Sequence, residues 1–270
     1  MRILTLSVPE ADAEVAADRL WIAGARAVEE RTQPRTVVLR TVLADADDIS
    51  LERLGRLPDG WTADFEDVDD VPAETWREFA KPIVINDALV IRPAWLPPLR
   101  AAGVHEIEIE PGGSFGLGDH PTTRLSAEAT WRLSRDRRRV LDVGCGSGVL
   151  SIIAAHRSAV EIIAIDIAEA AREATDDNAR RNGVADRIAA CTTPLAEIEG
   201  PFDLVVANVL APELVAMADD LRRLTGPDGR LVVSGVLAGR HDHVVEALEP
   251  MRVVETWELE GWAAIELCHP

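Results

Sequence analysis

The sequence predicts an α/β protein in which a doubly wound, Rossmann-like domain follows a small ferredoxin-like α+β domain. From residue 124 onwards, short apolar runs alternate with segments of helical periodicity, as in a parallel sheet with helical crossovers. Several of the runs are continuously apolar, which is typical of strands covered on both faces. One run leads into a glycine-rich turn with a helix directly after it, a junction that ligand-binding sheets of this class use.

The doubly wound domain is assigned to residues 83–270. Strands are predicted at 83–85, 89–91, 106–109, 140–143, 162–166, 188–191, 204–207 and 231–234, and helices near 149–156, 169–181, 213–224 and 240–248. Residues 253–259 and 262–267 are two further strand candidates with a Glu-Gly turn between them. We therefore expect a hairpin at the edge of the sheet.

The small domain is assigned to residues 1–67 and a linker to residues 68–82. Strand candidates at 3–8, 27–28, 36–39 and 61–65, with helices at 15–22 and 51–54, give the order β-α-β-β-α-β of ferredoxin-like domains. The segment 68–82 is acidic, contains two prolines and holds one short helical candidate. This composition favours a hinge between the two domains.

Composition limits the classes of function. The chain of 270 residues is 47% hydrophobic, yet it has no apolar run of 18 residues, so we expect no membrane span. The net charge of −19 disfavours nucleic acid and suits a basic partner, although a solubility-driven acidic surface explains it equally well. Three widely spaced cysteines suit the reducing cytoplasm. No metal site is predicted, and the sequence does not indicate an oligomeric state.

The strongest chemical signal is the run VLDVGCGSGVLSIIAA, residues 140–155. A buried strand carrying Asp142 leads into Gly144, Gly146 and Gly148, and a helix follows. Glycines let the backbone approach a ligand closely, and the start of a helix offers unpaired N–H groups. The spacing is G-x-G-x-G, which differs from the G-x-G-x-x-G of dinucleotide-binding proteins. The turn therefore predicts a nucleoside-type ligand of another kind.

A carboxylate follows at the end of the next strand. Asp166 lies 22 residues beyond Gly144, where an acidic side chain can accept hydrogen bonds from two ribose hydroxyls. Taken alone, Asp166 would be favoured as an N-cap for the helix that begins near Glu169. Its distance from the glycine turn favours ligand binding.

Asn208 ends another predicted strand in the run FDLVVANVLAPEL, residues 202–214. Open α/β sheets bind ligands at the carboxyl ends of their strands. An amide carbonyl there can accept hydrogen bonds from a substrate amine. The alternative is a turn residue that caps the helix near Pro212.

A glycine-rich loop, EPGGSFGLGDHPTTRLS, covers residues 110–126. Four glycines surround Phe115, and a helix opens at Pro121. A surface loop rarely has phenylalanine at its centre, so the loop is predicted to close on a ligand. His120 is a candidate general base, but its position before Pro121 fits a role in loop structure as well.

The chain resembles the ribosomal protein L11 methyltransferases (the PrmA family) over nearly its whole length. The resemblance is carried by PGGSFGLGDHPTT, DVGCGSGVLSIIAA and NVLAPEL, and ETWREFAKPIVINDALVIRPAW is similar to the family's linker and first catalytic-domain strands. It implies a class I methyltransferase domain that uses S-adenosylmethionine, with a small domain that recognises the protein substrate. The implied reaction is N-methylation of lysine ε-amino groups, α-amino groups or both on a basic ribosomal protein.

The resemblance also implies roles for individual residues. Thr123, Gly144, Asp166 and Asn208 would contact the cofactor, and Phe115 and Asn208 would shape the site where the amine meets the methyl group. The chain departs from the family in Leu117-Gly118-Asp119-His120, where Thr-Gly-Thr-His is common, and in Pro212-Glu213 after Ala211. The added acidic groups suit a cationic amine but leave the substrate open.

Three other functions are compatible with the same motifs. They are methylation of a different protein lysine, methylation of a small molecule at N or O, and cofactor binding without catalysis. A small-molecule enzyme has little need of a separate recognition domain. The intact set of Asp142, Gly144, Gly146, Asp166 and Asn208 disfavours a non-catalytic module. Cys145 lies inside the turn without a histidine placed to activate it, so small size explains it better than nucleophilic catalysis.

Overall fold

The computed structural model describes residues 2–9, 12–22, 25–33, 36–43, 57–67, 80–110 and 118–270. The chain divides into two compact units, Met1–Ala80 and Lys81–Pro270. The division falls within the predicted linker 68–82, most of which lies outside the described residues. The helix candidates at 51–54 and in the linker, and Phe115 with its neighbours 111–117, also lie outside them.

The first unit contains a four-stranded antiparallel sheet. Its elements are β1 (Arg2–Pro9), α1 (Ala13–Ile22), β2 (Ala25–Gln33), β3 (Thr36–Leu43) and β4 (Thr62–Asp67). The strand order is β2-β3-β1-β4, so β3 lies between β1 and β2, which is the split β-α-β arrangement of ferredoxin-like domains. Alternate side chains of β1, at Leu4, Leu6 and Val8, are buried with Leu20 of α1. The alternation follows from the period of two in a strand.

The second unit begins with a small sheet. Its strands β5 (Ile83–Asn86), β6 (Leu89–Pro93) and β7 (His105–Ile109) lie in sequence order, with β6 and β7 parallel. The buried guanidinium of Arg92 forms ion pairs with Glu106 at 2.7 Å and Glu108 at 2.6 Å. These pairs fix β7 against β6, because a buried charge must be fully paired.

The main sheet of the second unit has seven strands. They are β8 (Arg139–Val143), β9 (Glu161–Ile165), β10 (Ile188–Cys191), β11 (Phe202–Asn208), β12 (Thr225–Leu237), β13 (Arg252–Leu259) and β14 (Trp262–Cys268). The order is β10-β9-β8-β11-β12-β14-β13, and the first five strands are parallel. The predicted terminal hairpin is confirmed at one edge. The order reverses between β8 and β11, which makes their carboxyl ends the switch point of the sheet.

Helices cover both faces of this sheet. They are α2 (Pro121–Leu133), α3 (Val149–Arg157), α4 (Glu169–Arg181), α5 (Ala211–Ala216), α6 (Ala218–Leu224) and α7 (Asp242–Ala247). Leu204 and Val206 of β11 face one apolar cluster, and Val205 and Ala207 face the other. This two-sided burial is why the strand reads as a continuous apolar run. No helix in the described ranges is long and apolar enough to cross a bilayer.

One predicted helix was wrong. The single helix expected at 213–224 is two helices, α5 and α6, which meet at Met217. The backbone of Met217 leaves helical geometry at φ −95° and ψ 2°, and its N–H bonds back to Glu213 and Val215. These hydrogen bonds end α5, but the apolar periodicity continues across Met217 into α6. The sequence pattern therefore does not show the break.

Candidate active site

The glycine turn joins β8 to α3 at the switch point. Gly144, Gly146 and Gly148 all have positive φ, of 72°, 53° and 78°, which side-chain-bearing residues rarely adopt. The N–H groups of Gly144 and Cys145 both donate to the carbonyl oxygen of Ile165, at 2.9 and 3.0 Å. The end of β9 therefore fixes the turn. The backbone feature that the three predicted glycines share is their positive φ.

Close packing provides a second reason for Gly144. A Cβ atom at this position would lie 2.4 Å from Cγ1 of Val209, the residue after Asn208. The turn after β8 and the chain leaving β11 are thus in direct contact. A side chain at Gly144 would therefore strain the backbone at positive φ and displace the side chain of Val209.

Asp142 lies beneath the turn, with 1% of its surface exposed. Its Oδ2 accepts hydrogen bonds from the backbone N–H and the hydroxyl of Ser151, at 3.1 and 2.7 Å. Burial raises the pKa of Asp142 to about 6, against the opposing effect of these bonds, and the charge of Asp166 adds to the rise. Asp142 ties β8 to the first turn of α3, so the geometry favours a role in holding the turn. Its predicted cofactor contact stays a prediction.

Asp166 follows β9 directly and faces the turn. Its Oδ2 accepts a hydrogen bond from the N–H of Gly146 at 3.1 Å, and its Oδ1 accepts one from Ala168 at 2.9 Å. The N-cap of α4 is Ala168, which has no side-chain cap, so the alternative interpretation of Asp166 as the cap was wrong. The next residue, Ile167, is fully exposed. The strand end thus presents a carboxylate and an apolar side chain beside the glycine turn.

Asn208 and Thr123 come together from distant parts of the chain. Asn208 is the last residue of β11, and its Nδ2 donates to the hydroxyl of Thr123 in the first turn of α2, at 3.4 Å. The N-cap of α5 is Leu210, without a side-chain hydrogen bond, so the capping interpretation of Asn208 was wrong. Because Nδ2 is directed at Thr123, the amide is oriented by a second predicted site residue.

His120 has a clear structural role at the start of α2. Its Nδ1 accepts a long hydrogen bond from the N–H of Thr122 at 3.4 Å and lies 2.8 Å from the hydroxyl of the same residue. The ring packs edge-on against Trp262 at 5.0 Å. Burial lowers the pKa of His120, although Asp119 and Glu260 oppose the shift. The imidazole is the N-cap of α2, and the predicted base role stays a prediction.

Cys145 is buried inside the turn. Burial raises the pKa of its thiol, with the charge of Asp142 adding to the effect. Such a thiol stays protonated, so a nucleophilic role is disfavoured, in line with its small size as the reason for its presence. Nowhere in the described ranges do three or more His, Cys, Asp or Glu side chains gather in a way that could hold a metal ion.

Sequence reasoning missed two groups of residues around the turn. Val209 lies between Gly144 and Gly235, and Thr175 and Asn178 of α4 bond to the turn from below. A polar pair three residues apart within the buried face of a helix is a signal that could have identified α4. No local signal marks Val209, because its neighbours come from β8 and β12.

A doubly wound sheet with a glycine turn and a strand-end carboxylate at its switch point is the architecture of class I methyltransferases. The protein is an enzyme of this class, and S-adenosylmethionine is its cofactor.

The chain matches the family described as ribosomal protein L11 methyltransferase (PrmA) over residues 5–269. A ribosomal protein L11 methyltransferase from Citrifermentans bemidjiense is 42% identical over 204 residues, covering 73% of this chain and 67% of that protein. One from Symbiobacterium thermophilum is 37% identical over 200 residues, covering 73% and 66%. The crystal structure of a ribosomal protein L11 methylase from Lactobacillus delbrueckii subsp. bulgaricus has a TM-score of 0.65 at 30% identity, covering 70% of this chain and all of that one. The chain belongs to the ribosomal protein L11 methyltransferase family.

Proposed function

We propose that this enzyme transfers methyl groups from S-adenosylmethionine to amino groups of ribosomal protein L11, at lysine side chains, the amino terminus or both. The observation that carries the proposal is the position of Asn208. It emerges at the carboxyl end of β11, in contact with the glycine turn through Val209 and bonded to Thr123. Ligands of open α/β sheets bind at this switch point. The family membership and the names of the relatives support the substrate.

The residues proposed to hold the cofactor fit its chemistry. They are Thr123, Asp142, Gly144, Gly146, Gly148, Asp166 and Asn208. The turn has no side chain at its three glycines, which leaves backbone groups accessible to a ligand. The carboxylate of Asp166 is half-buried and can accept hydrogen bonds from ribose hydroxyls in addition to its backbone bonds. Asp142 would act from beneath by holding the turn.

The cofactor supplies a methyl group already activated by its sulfonium. The chain has to orient a neutral amine, because an ammonium has no lone pair to attack with. We assign this to the carbonyl oxygen of Asn208, which can accept a hydrogen bond from the amine while Thr123 holds the amide. Phe115 would shape the amine site. His120 is the candidate base for the proton that the amine loses. Holding the reacting atoms at near-attack distance lowers the barrier by avoiding the entropy loss of bringing them together.

The first unit is proposed to recognise the substrate. Residues 1–80 carry nine arginines and no lysine, against 18 acidic side chains. An acidic unit attracts a basic ribosomal protein and disfavours nucleic acid. The enzyme would work in the cytoplasm, where ribosomal proteins are made. The three cysteines are free thiols, as that compartment favours.

The test is methyl transfer from labelled S-adenosylmethionine into purified ribosomal proteins, followed by intact-mass analysis. We expect label in L11, in steps of one methyl mass. A label in another protein would overturn the substrate, and tight cofactor binding without protein label would indicate a small-molecule enzyme. The role of Asn208 is tested with Asn208→Ala, which should lower kcat. Asn86→Ala is its matched control, since Asn86 is also a half-buried asparagine at a strand end. It bonds Glu128 and Ala88, neither of which is in β11.

A further inference from the structure

Helix α4 presents polar side chains to the interior of the protein. Thr175 and Asn178 are completely buried, and Asn182, which ends the helix, is half-buried on the same face. Buried polar groups destabilise a fold unless they are hydrogen-bonded. Their partners therefore indicate what these side chains hold in place.

Asn178 joins the glycine turn to the end of β7. Its Oδ1 accepts a hydrogen bond from the N–H of Glu110, and its Nδ2 donates to the carbonyl oxygens of Glu110 and Ser147, all at 2.9 Å. The bonds to Glu110 mimic those of a neighbouring strand. The third bond reaches into the turn between Gly146 and Gly148. One amide thus fixes the distance between two chain segments that are 37 residues apart.

Asn182 makes the same kind of contact one step earlier in β7. Its amide bonds the N–H and the carbonyl oxygen of Glu108, at 2.9 and 2.7 Å, and its third bond goes to the carbonyl oxygen of Asn178 in its own helix. The two asparagines therefore share the β7 contact and differ in the bond to Ser147. A comparison of the two asparagines therefore distinguishes the effect of supporting β7 from the effect of supporting the turn.

Thr175 adds a second bond to the turn. Its hydroxyl donates to the carbonyl oxygen of Gly146 at 3.2 Å. Because the C=O and N–H of a planar peptide point in opposite directions, holding this carbonyl towards α4 directs the N–H of Ser147 away from it. The carbonyl of Ser147 is held in the same way by Asn178. The helix therefore sets the orientation of two consecutive peptides in the turn.

We propose that Asn178, assisted by Thr175, is a positioning residue for S-adenosylmethionine, holding the turn preformed and at a fixed distance from Glu110. The inference rests on the proposed assignment of the glycine turn to the cofactor. A preformed turn binds its ligand without first losing conformational freedom. Loss of the bonds should therefore weaken cofactor binding more than it slows methyl transfer at saturating cofactor.

The experiment measures the Kd of S-adenosylhomocysteine by calorimetry, with KM and kcat for S-adenosylmethionine, well below each variant's Tm. Asn178→Asp keeps the acceptor for Glu110 and removes both donated bonds. We expect its Kd and KM to rise at least about tenfold, with kcat within about threefold of wild type. Thr175→Val, of nearly the same shape, should raise Kd about threefold. It keeps the proposal testable if Asn178→Asp does not fold.

Two controls separate positioning from stability. Asn182→Ala loses the matching bonds to Glu108, and Thr225→Val loses a buried hydrogen bond to Leu221 in another part of the unit. Both should lower the urea midpoint and leave Kd within about twofold of wild type. Equal increases in Kd for Asn178→Asp and Asn182→Ala, or an unchanged Kd for Asn178→Asp, would overturn the proposal. A wild-type protein that binds no cofactor would instead overturn the proposed cofactor site.

Discussion

Replacing Gly235 with alanine should slow methyl transfer through the position of Asn208. Gly235 lies in β12 at a register shift, next to the Ser234–Asn208 pair, with φ of 91°. A Cβ atom there would lie 2.0 Å from the carbonyl oxygen of Val209 and 2.7 Å from its carbonyl carbon. Both clashes are with backbone, so no side-chain rotation relieves them.

The size of the effect follows from these distances. Real Cβ contacts stay above 3.0 Å, so the carbonyl oxygen of Val209 at 2.0 Å must move by about 1 Å. A misplacement of about 1 Å in a catalytic site can cost about a hundredfold in rate. Positive φ at a non-glycine residue costs a further 1–2 kcal/mol of stability, approximately. We expect kcat to fall about a hundredfold while cofactor Kd changes by less than about tenfold.

Gly103→Ala is the matched control. Gly103 has φ of 79°, and a Cβ atom there would have no neighbour within 4 Å, so this variant carries the backbone strain without the clash. Initial rates of labelled methyl transfer, cofactor calorimetry and urea unfolding would be measured on both variants. If the two have kcat values within about threefold of each other, the link from Gly235 through Val209 to Asn208 is refuted.

Three further predictions concern the same unit. Asn208→Ala should lower kcat while cofactor binding stays measurable, and unchanged turnover would remove Asn208 from the mechanism. Because the pKa of Asp142 is raised from 3.8 to about 6, the native state binds its proton more tightly than the unfolded state, and stability is lost as the pH rises through this window. The stability of Asp142→Asn relative to wild type, from urea unfolding without ligand, should therefore be greater at pH 7.5 than at pH 5 by roughly 1 kcal/mol, and an equal difference at both would contradict the raised pKa. Iodoacetamide at pH 8 should alkylate Cys191 and Cys268 in the native protein and spare Cys145, as measured by peptide mass. Labelling of Cys145 at a similar rate would contradict the burial of its thiol.

The parallel strands could be predicted because they are buried on both faces. Leu204 to Ala207 form an unbroken apolar run, and each side chain faces a core cluster. The glycine turn was visible for a similar local reason, since only glycine accommodates the required φ at three close positions. The break between α5 and α6 was not visible, because both helices bury side chains towards the same cluster on either side of Met217.

The sequence predicted the places of the site residues in the fold more accurately than the bonds that their side chains make. Asp166 and Asn208 each had a capping interpretation, and neither side chain caps a helix. The sequence makes His120 a candidate base, and its imidazole is itself the N-cap of α2. A side chain near a helix start can face either the helix or the neighbouring strand. Which partner it takes depends on packing that the local sequence does not encode.

The sequence by itself determined the succession of strands in the second unit, the glycine turn, the strand-end Asp166 and Asn208, and the family. The family comes from the motifs that carry the resemblance, and the other features arise from periodicity and backbone conformation within a few residues of each other. Tertiary structure alone decided that Asn208 bonds Thr123, that Val209 lies between Gly144 and Gly235, and that Asn178 holds the turn. Each of these contacts joins residues more than 25 positions apart, and their distances exist only once the strands and helices have packed.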